Sequence, residues 1–96
     1  LEIGQIDAAE SHARRATQLD PALAPGWFNL ALALQAQERS ADARAAAHRA
    51  LSLDPGDIAI AGLSAQLDAE SGDLVSARET LSKALVRHPG NAALTM

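Results

Sequence analysis

Cysteine is absent from the 96-residue chain, which excludes disulfides, thiol catalysis and cysteine-ligated metal sites. The compartment stays open, with the cytoplasm favoured and the periplasm an alternative. Aromatic residues make up only 2%, the adjacent Trp27 and Phe28. Residues branched at Cβ are scarce too: Val75, Val86, four isoleucines and three threonines. Strands draw on these two classes, so a sheet is not expected. A basic excess is also lacking. Lys plus Arg is 8 against 12 for Asp plus Glu, a net charge of −4. That argues against a nucleic-acid module, which needs a clustered basic face. No run of eighteen apolar residues occurs, so no membrane insertion is expected, and no Lys/Arg-led signal peptide opens the chain.

What the chain has is alanine and leucine, which together supply most of its apolar side chains. Alanine is the strongest helix former. It also buries little area per side chain, so helices must approach closely to make a core from it. With 48% apolar residues the chain is globular rather than disordered, and its length suits a single domain. The expected fold class is all-α, built from short, similar helices.

One 34-residue ruler runs through the sequence. Asp20-Pro21, Asp54-Pro55 and His88-Pro89 fall on it, as do Ala16, Ala50 and Ala84, and Ala9, Ala43 and Ala77. Leu19, Leu53 and Arg87 share it with a change of type, and Gly4, Glu38 and Gly72 do the same. Periodicity at this length signals a helix–turn–helix array.

The punctuation predicts five helices. Ile6, Ala9, Ala13, Ala16 and Leu19 form an apolar stripe over about 5–19, stopped by Asp20-Pro21. Pro25 suits the first turn of a helix over about 25–37. Glu38-Arg39-Ser40 is then a turn without the expected capping glycine, which costs up to about 1 kcal/mol if the left-handed conformation is kept. A third helix spans about 41–53, with Ala43, Ala47, Ala50 and Leu51 inward. Asp57 caps a fourth over about 58–71, and Ser71-Gly72-Asp73 ends it. On the fifth, about 74–87, Leu74, Ala77, Leu81, Ala84 and Leu85 form the cleanest apolar stripe. Asn91 resembles the Asp57 cap, with Ala92 to Met96 starting a further helix.

Little suggests catalysis. His12, His48 and His88 occupy different repeat positions and read as surface residues; no phosphate-binding glycine loop or nucleophile elbow is present. No catalytic, cofactor-binding or metal-binding residue is expected. Arg15, Arg49 and Lys83 form a basic column on the same ruler, joined by Arg44 and Arg78. The column reads either as a ridge for an acidic partner or as a solvated face.

The residues on this ruler resemble the tetratricopeptide repeat, whose pattern runs Trp-x2-Leu-Gly-x2-Tyr, Ala-x3-Phe, Ala, Pro. Here it reads Trp27, Leu30, Ala31, Leu34, Ala43, Ala47, Ala50, Pro55, and then Ala61, Ser64, Ala65, Asp68, Ala77, Leu81, Ala84, Pro89. The resemblance, to a bacterial-type array, implies a right-handed α-solenoid of antiparallel helix pairs. The chain divides into the second half of a repeat (1–23), full repeats at 24–57 and 58–91, and the start of another at 92–96.

By that resemblance the first helix of each unit lines a concave groove holding a peptide or helix. The groove residues are then Phe28, Leu32 and Gln35, followed by Gly62, Gln66 and Glu70, flanked by Pro25, Ala36, Ala59 and Ala69. Trp27 belongs in the core if its N–H finds a partner. Phe28 has no core slot in this register and is either an interface anchor or packed against a preceding repeat. Gly62 either opens the groove floor or marks a weak helix. Chaperone-tail clamps of this family use a basic residue and an asparagine where this chain has Phe28 and Leu32, so a more apolar ligand surface is implied. The expected function is a protein–protein interaction scaffold. Alternatives are a regulatory or substrate-presenting arm of a larger enzyme, or a self-association module. Neither end carries a polar capping helix, so a homo-oligomer through the exposed repeat ends is expected.

Overall fold

Proline, aspartate and glycine divide the chain into helices of similar length. The computed structural model describes residues 3–87, which form α1 (Ile3–Leu19), α2 (Ala24–Ala36), α3 (Ser40–Leu53), α4 (Ile58–Glu70) and α5 (Leu74–Arg87). No strand occurs among the described residues. Each expected helix is present, with its ends close to those read from the sequence. The cap expected at Asn91 and the helix start at 92–96 lie outside the described residues.

The ends follow from local chemistry. Pro25 sits in the first turn of α2. Asp57 accepts a hydrogen bond from the Ile60 amide at 3.1 Å and caps α4. Asp73 accepts from the Ser76 amide at 3.0 Å at the start of α5. That bond, more than any other contact, holds the Asp73 carboxyl below the usual carboxylate range.

The turns after α2 and α4 are alike in bonding and unlike in residue. The Arg39 amide donates to the Leu34 carbonyl at 3.0 Å, and the Glu38 amide to Gln35 at 2.9 Å. The Asp73 amide donates to Asp68 at 2.8 Å, and Gly72 to Ala69 at 3.0 Å. Both are Schellman closures, which place one residue in the left-handed region. That residue is Gly72 (φ 93°) in one and Glu38 (φ 61°) in the other. The strain inferred at Glu38 is therefore present. Glu38→Gly is expected to raise stability by about 0.5–1 kcal/mol, since glycine relieves the steric cost and gives part of it back in unfolded-state entropy. A denaturant midpoint that stays put or falls would count against strain at this turn.

α2 and α4 begin one period apart on the ruler, at Ala24 and Ile58, and so do α3 and α5, at Ser40 and Leu74. The helices pack chiefly on their neighbours in chain order. The main core joins Leu30, Ala31 and Leu34 of α2 to Ala43, Ala46 and Ala47 of α3 and to Leu63 and Leu67 of α4. Ala31, Ala43, Ala47, Ala50 and Ala61 are completely buried, as close helix approach over small side chains requires.

Two apolar stripes are only partly covered. Ala13 is buried on α1, but Ala9, Ala16 and Leu19 are exposed, because α2 is the principal neighbour of this helix among the described residues. On α5, Ala77 and Ala84 are buried, whereas Leu74 and Leu81 are 67% and 45% exposed. Their one principal neighbour is α4, and it covers just the alanine edge.

Candidate functional site

Helix α2 separates its two faces by side-chain position. Leu30, Ala31, Ala33 and Leu34 are buried, while Pro25, Asn29, Leu32 and Ala36 are exposed and Gln35 is half-buried. Leu32, 41% exposed, borders a cleft of about 430 Å³ between α1 and α2. Ala9, Ala13 and Ala16 line it from α1, with Asn29, Ala33 and Ala36 beside Leu32 on α2. Alanine methyls leave the floor shallow and apolar. Phe28 departs from expectation: it is half-buried and packs against both core clusters, including Ala24, Ala50 and Ile60. The ring has a core neighbourhood after all, at the edge of clusters drawn chiefly from α2, α3 and α4. Trp27, expected in the core, is only half-buried against its edge; its indole N–H donates to the Pro21 carbonyl at 2.9 Å, with Arg49 over the ring.

On α4, Gly62, Gln66 and Glu70 are all exposed, on one side of an unbroken helix. A Cβ added at Gly62 would meet nothing within 4 Å. Gln66 donates to Glu70 at 3.2 Å, so these two are brought together, whereas Leu32 faces the α1 cleft. Among the described residues no group of three His, Asp or Glu is placed to hold a metal ion. None of the described helices is long and apolar enough to cross a membrane.

Charge ties the helices together at the edges. Glu10 accepts from Arg14 at 2.6 Å, from Gln37 at 2.7 Å and from Arg39 at 3.3 Å, linking α1 to the turn after α2. The Gln37 bond foremost, then the Arg14 bond, lowers the Glu10 carboxyl to about 2.

The helix pairs repeating on a single ruler agree with an independent comparison. A family model described as the tetratricopeptide repeat matches residues 34–96. The chain belongs to the tetratricopeptide repeat family. A comparison with curated individual proteins finds no match. Tetratricopeptide repeats are typically non-catalytic and generally mediate contacts between proteins.

Against the tetratricopeptide pattern, one place in this chain stands out. Leu30 and Leu34 on α2 correspond, one period on, to Ser64 and Asp68 on α4, and all four are buried. Asp68 Oδ1 accepts from Arg44 Nε at 2.5 Å and pairs with His48 Nε2 at 2.7 Å, while Arg44 reaches Asp73 at 3.0 Å. The ring nitrogen facing a carboxylate must carry the hydrogen, which makes His48 a donor there. The Asp68 bond above all pushes the Arg44 guanidinium further up its already high range. Arg44 thus turns to an ion pair between helices, while Arg15, Arg49 and Lys83 stay exposed in their column. Sequence reasoning placed His48 on the surface, where it is, and missed its pairing with Asp68. The signal was available: an aspartate at a large apolar position requires a cation across the helix interface.

Proposed function

We propose that this chain is a non-enzymatic protein–protein interaction scaffold that takes a peptide or helix of a partner on the exposed faces of α2 and α4. The division into repeats at 24–57 and 58–91 underlies the reading, because it puts the two faces in register. Leu32 is the apolar anchor. Phe28 supports it from the core side, and Gln35, Gln66 and Glu70 supply polar specificity, with Gly62 allowing close backbone approach. The observation that carries the reading is the exposure of Leu32 beside the alanine-lined cleft of about 430 Å³. An exposed large side chain in a shallow apolar cleft is the form that interface anchors take.

Leu32→Glu is the decisive variant, since Phe28→Ala would also disturb the core. Stability should change by less than about 0.5 kcal/mol, as for other exposed positions. Affinity for the partner co-purified with the full-length protein should fall at least about tenfold. Retention equal to that of the unmodified protein, with Glu79→Ala as an exposed control, would sink the assignment.

Self-association through the exposed repeat end at α1 is the second reading. Ala9 and Ala16 are exposed, whereas their equivalents Ala43 and Ala50 are completely buried beneath neighbouring helices. Sedimentation from micromolar to millimolar concentration separates the two readings, because a monomer mass throughout leaves only the heterologous partner.

A further inference from the structure

Helix α4 carries a second surface, on the side away from Gly62, Gln66 and Glu70. There, α3, α4 and α5 enclose a cleft of about 300 Å³. His48 and Ser52 border it from α3, Ser64 and Asp68 from α4, and Ser76 and Thr80 from α5. Two of its groups are in deficit. Ser64 Oγ and Asp68 Oδ2 are both fully buried and, among the described residues, find no hydrogen-bond partner in the protein. Spaced i, i+4, they lie on the same helix face one turn apart.

The missing chemistry can be specified. A carboxylate oxygen only accepts, so the group that satisfies it must donate. An anion is repelled at this position. Charge points the same way, because the Arg44 guanidinium is shared between the carboxylates of Asp68 and Asp73. A ligand that adds one positive charge and several donors answers both deficits. Its three N–H donors match Asp68, Ser64 and a rim hydroxyl of Ser52, Ser76 or Thr80, while Leu51 and Pro55 offer apolar surface to a hydrocarbon stem. One water occupies roughly 30 Å³, far less than the cleft.

We propose that this cleft binds a primary alkylammonium group, carried by a lysine side chain of a partner or by a free small amine. Ser64 and Asp68 form the floor, their unpaired oxygens one turn apart on α4, while Asp68 Oδ1 stays on Arg44 and His48. The site uses none of the α2–α4 face residues, so it stands or falls independently of the Leu32 experiment.

Amide-resolved NMR titration of the 96-residue chain tests it, with butylammonium chloride and N-acetyl-lysine amide as probes. Nα,Nε-diacetyl-lysine amide, which has no ammonium group, and sodium chloride at matched ionic strength are the controls. Saturable shifts at Ser64, Asp68, Ser76 and Thr80 are expected with both ammonium probes and with neither control. Tighter binding of the lysine amide identifies a partner side chain as the source, and tighter binding of butylammonium a free amine. Ser64→Leu, which fills the cleft, should weaken binding at least about tenfold, and Thr80→Val, at the rim, severalfold without touching the floor. Shifts that sodium chloride or the diacetylated amide reproduces, or that survive both variants, overturn the proposal.

Discussion

Truncating Leu34 to alanine is expected to cost about 3–4 kcal/mol, whereas Leu32→Ala, on the opposite face of the same helix, should cost less than about 0.5 kcal/mol. Leu34 is 2% exposed and touches a core made largely of alanine, including Ala13, Ala31, Ala43, Ala46 and Ala47. An alanine has no rotamers with which to fill a hole beside it, so the cavity stays open and the loss lies toward the upper part of the usual range. Few large side chains share the load in this core: Leu30, Leu34, Leu63 and Leu67. Domains of this size are stable by roughly 5–15 kcal/mol, so the variant should lose a large fraction of its margin. Urea unfolding of both variants checks the contrast. Equal midpoints would mean that the buried and exposed faces of α2 are wrongly assigned.

That contrast was readable in the sequence only in part. The helices were legible because their boundaries are local events: Asp20-Pro21, Asp54-Pro55, the Asp57 cap and the Gly72 turn each act within a short stretch of chain. The strained turn at Glu38 was legible for the same reason, as the place on the ruler where glycine is missing. Burial on α1 and α5 was not, because periodicity says which face is apolar but not whether a neighbour arrives to cover it. Ala9, Ala16, Leu74 and Leu81 sit on apolar stripes and are exposed. Phe28 shows the opposite failure, since the repeat register left it without a core slot and it packs half-buried against both core clusters. The ion pair of Asp68 depends on Arg44, which lies on another helix, and no spacing rule within one helix could find it.

Replacing Ser64 and Asp68 together with leucine is expected to stabilise the chain by about 2 kcal/mol, although it deletes a salt bridge. The change copies onto α4 the pair Leu30 and Leu34 that α2 already buries. It removes two fully buried polar atoms without partners, each of which is costly to hold out of water. It adds apolar surface where a cleft of about 300 Å³ has room for it, which limits overpacking. The partners left behind are not stranded. Arg44 keeps Asp73 and is 31% exposed, and the His48 side chain is 46% exposed, so both return to solvent without a buried charge remaining. Removing Arg44 alone should act in the opposite direction, because Asp68 would then lie buried with only His48 as partner. A double-leucine variant with a lower urea midpoint would show that the polar pair stabilises the fold. A higher midpoint, with the ammonium response abolished, would show that this repeat gives up stability to keep a polar floor, as binding sites commonly do.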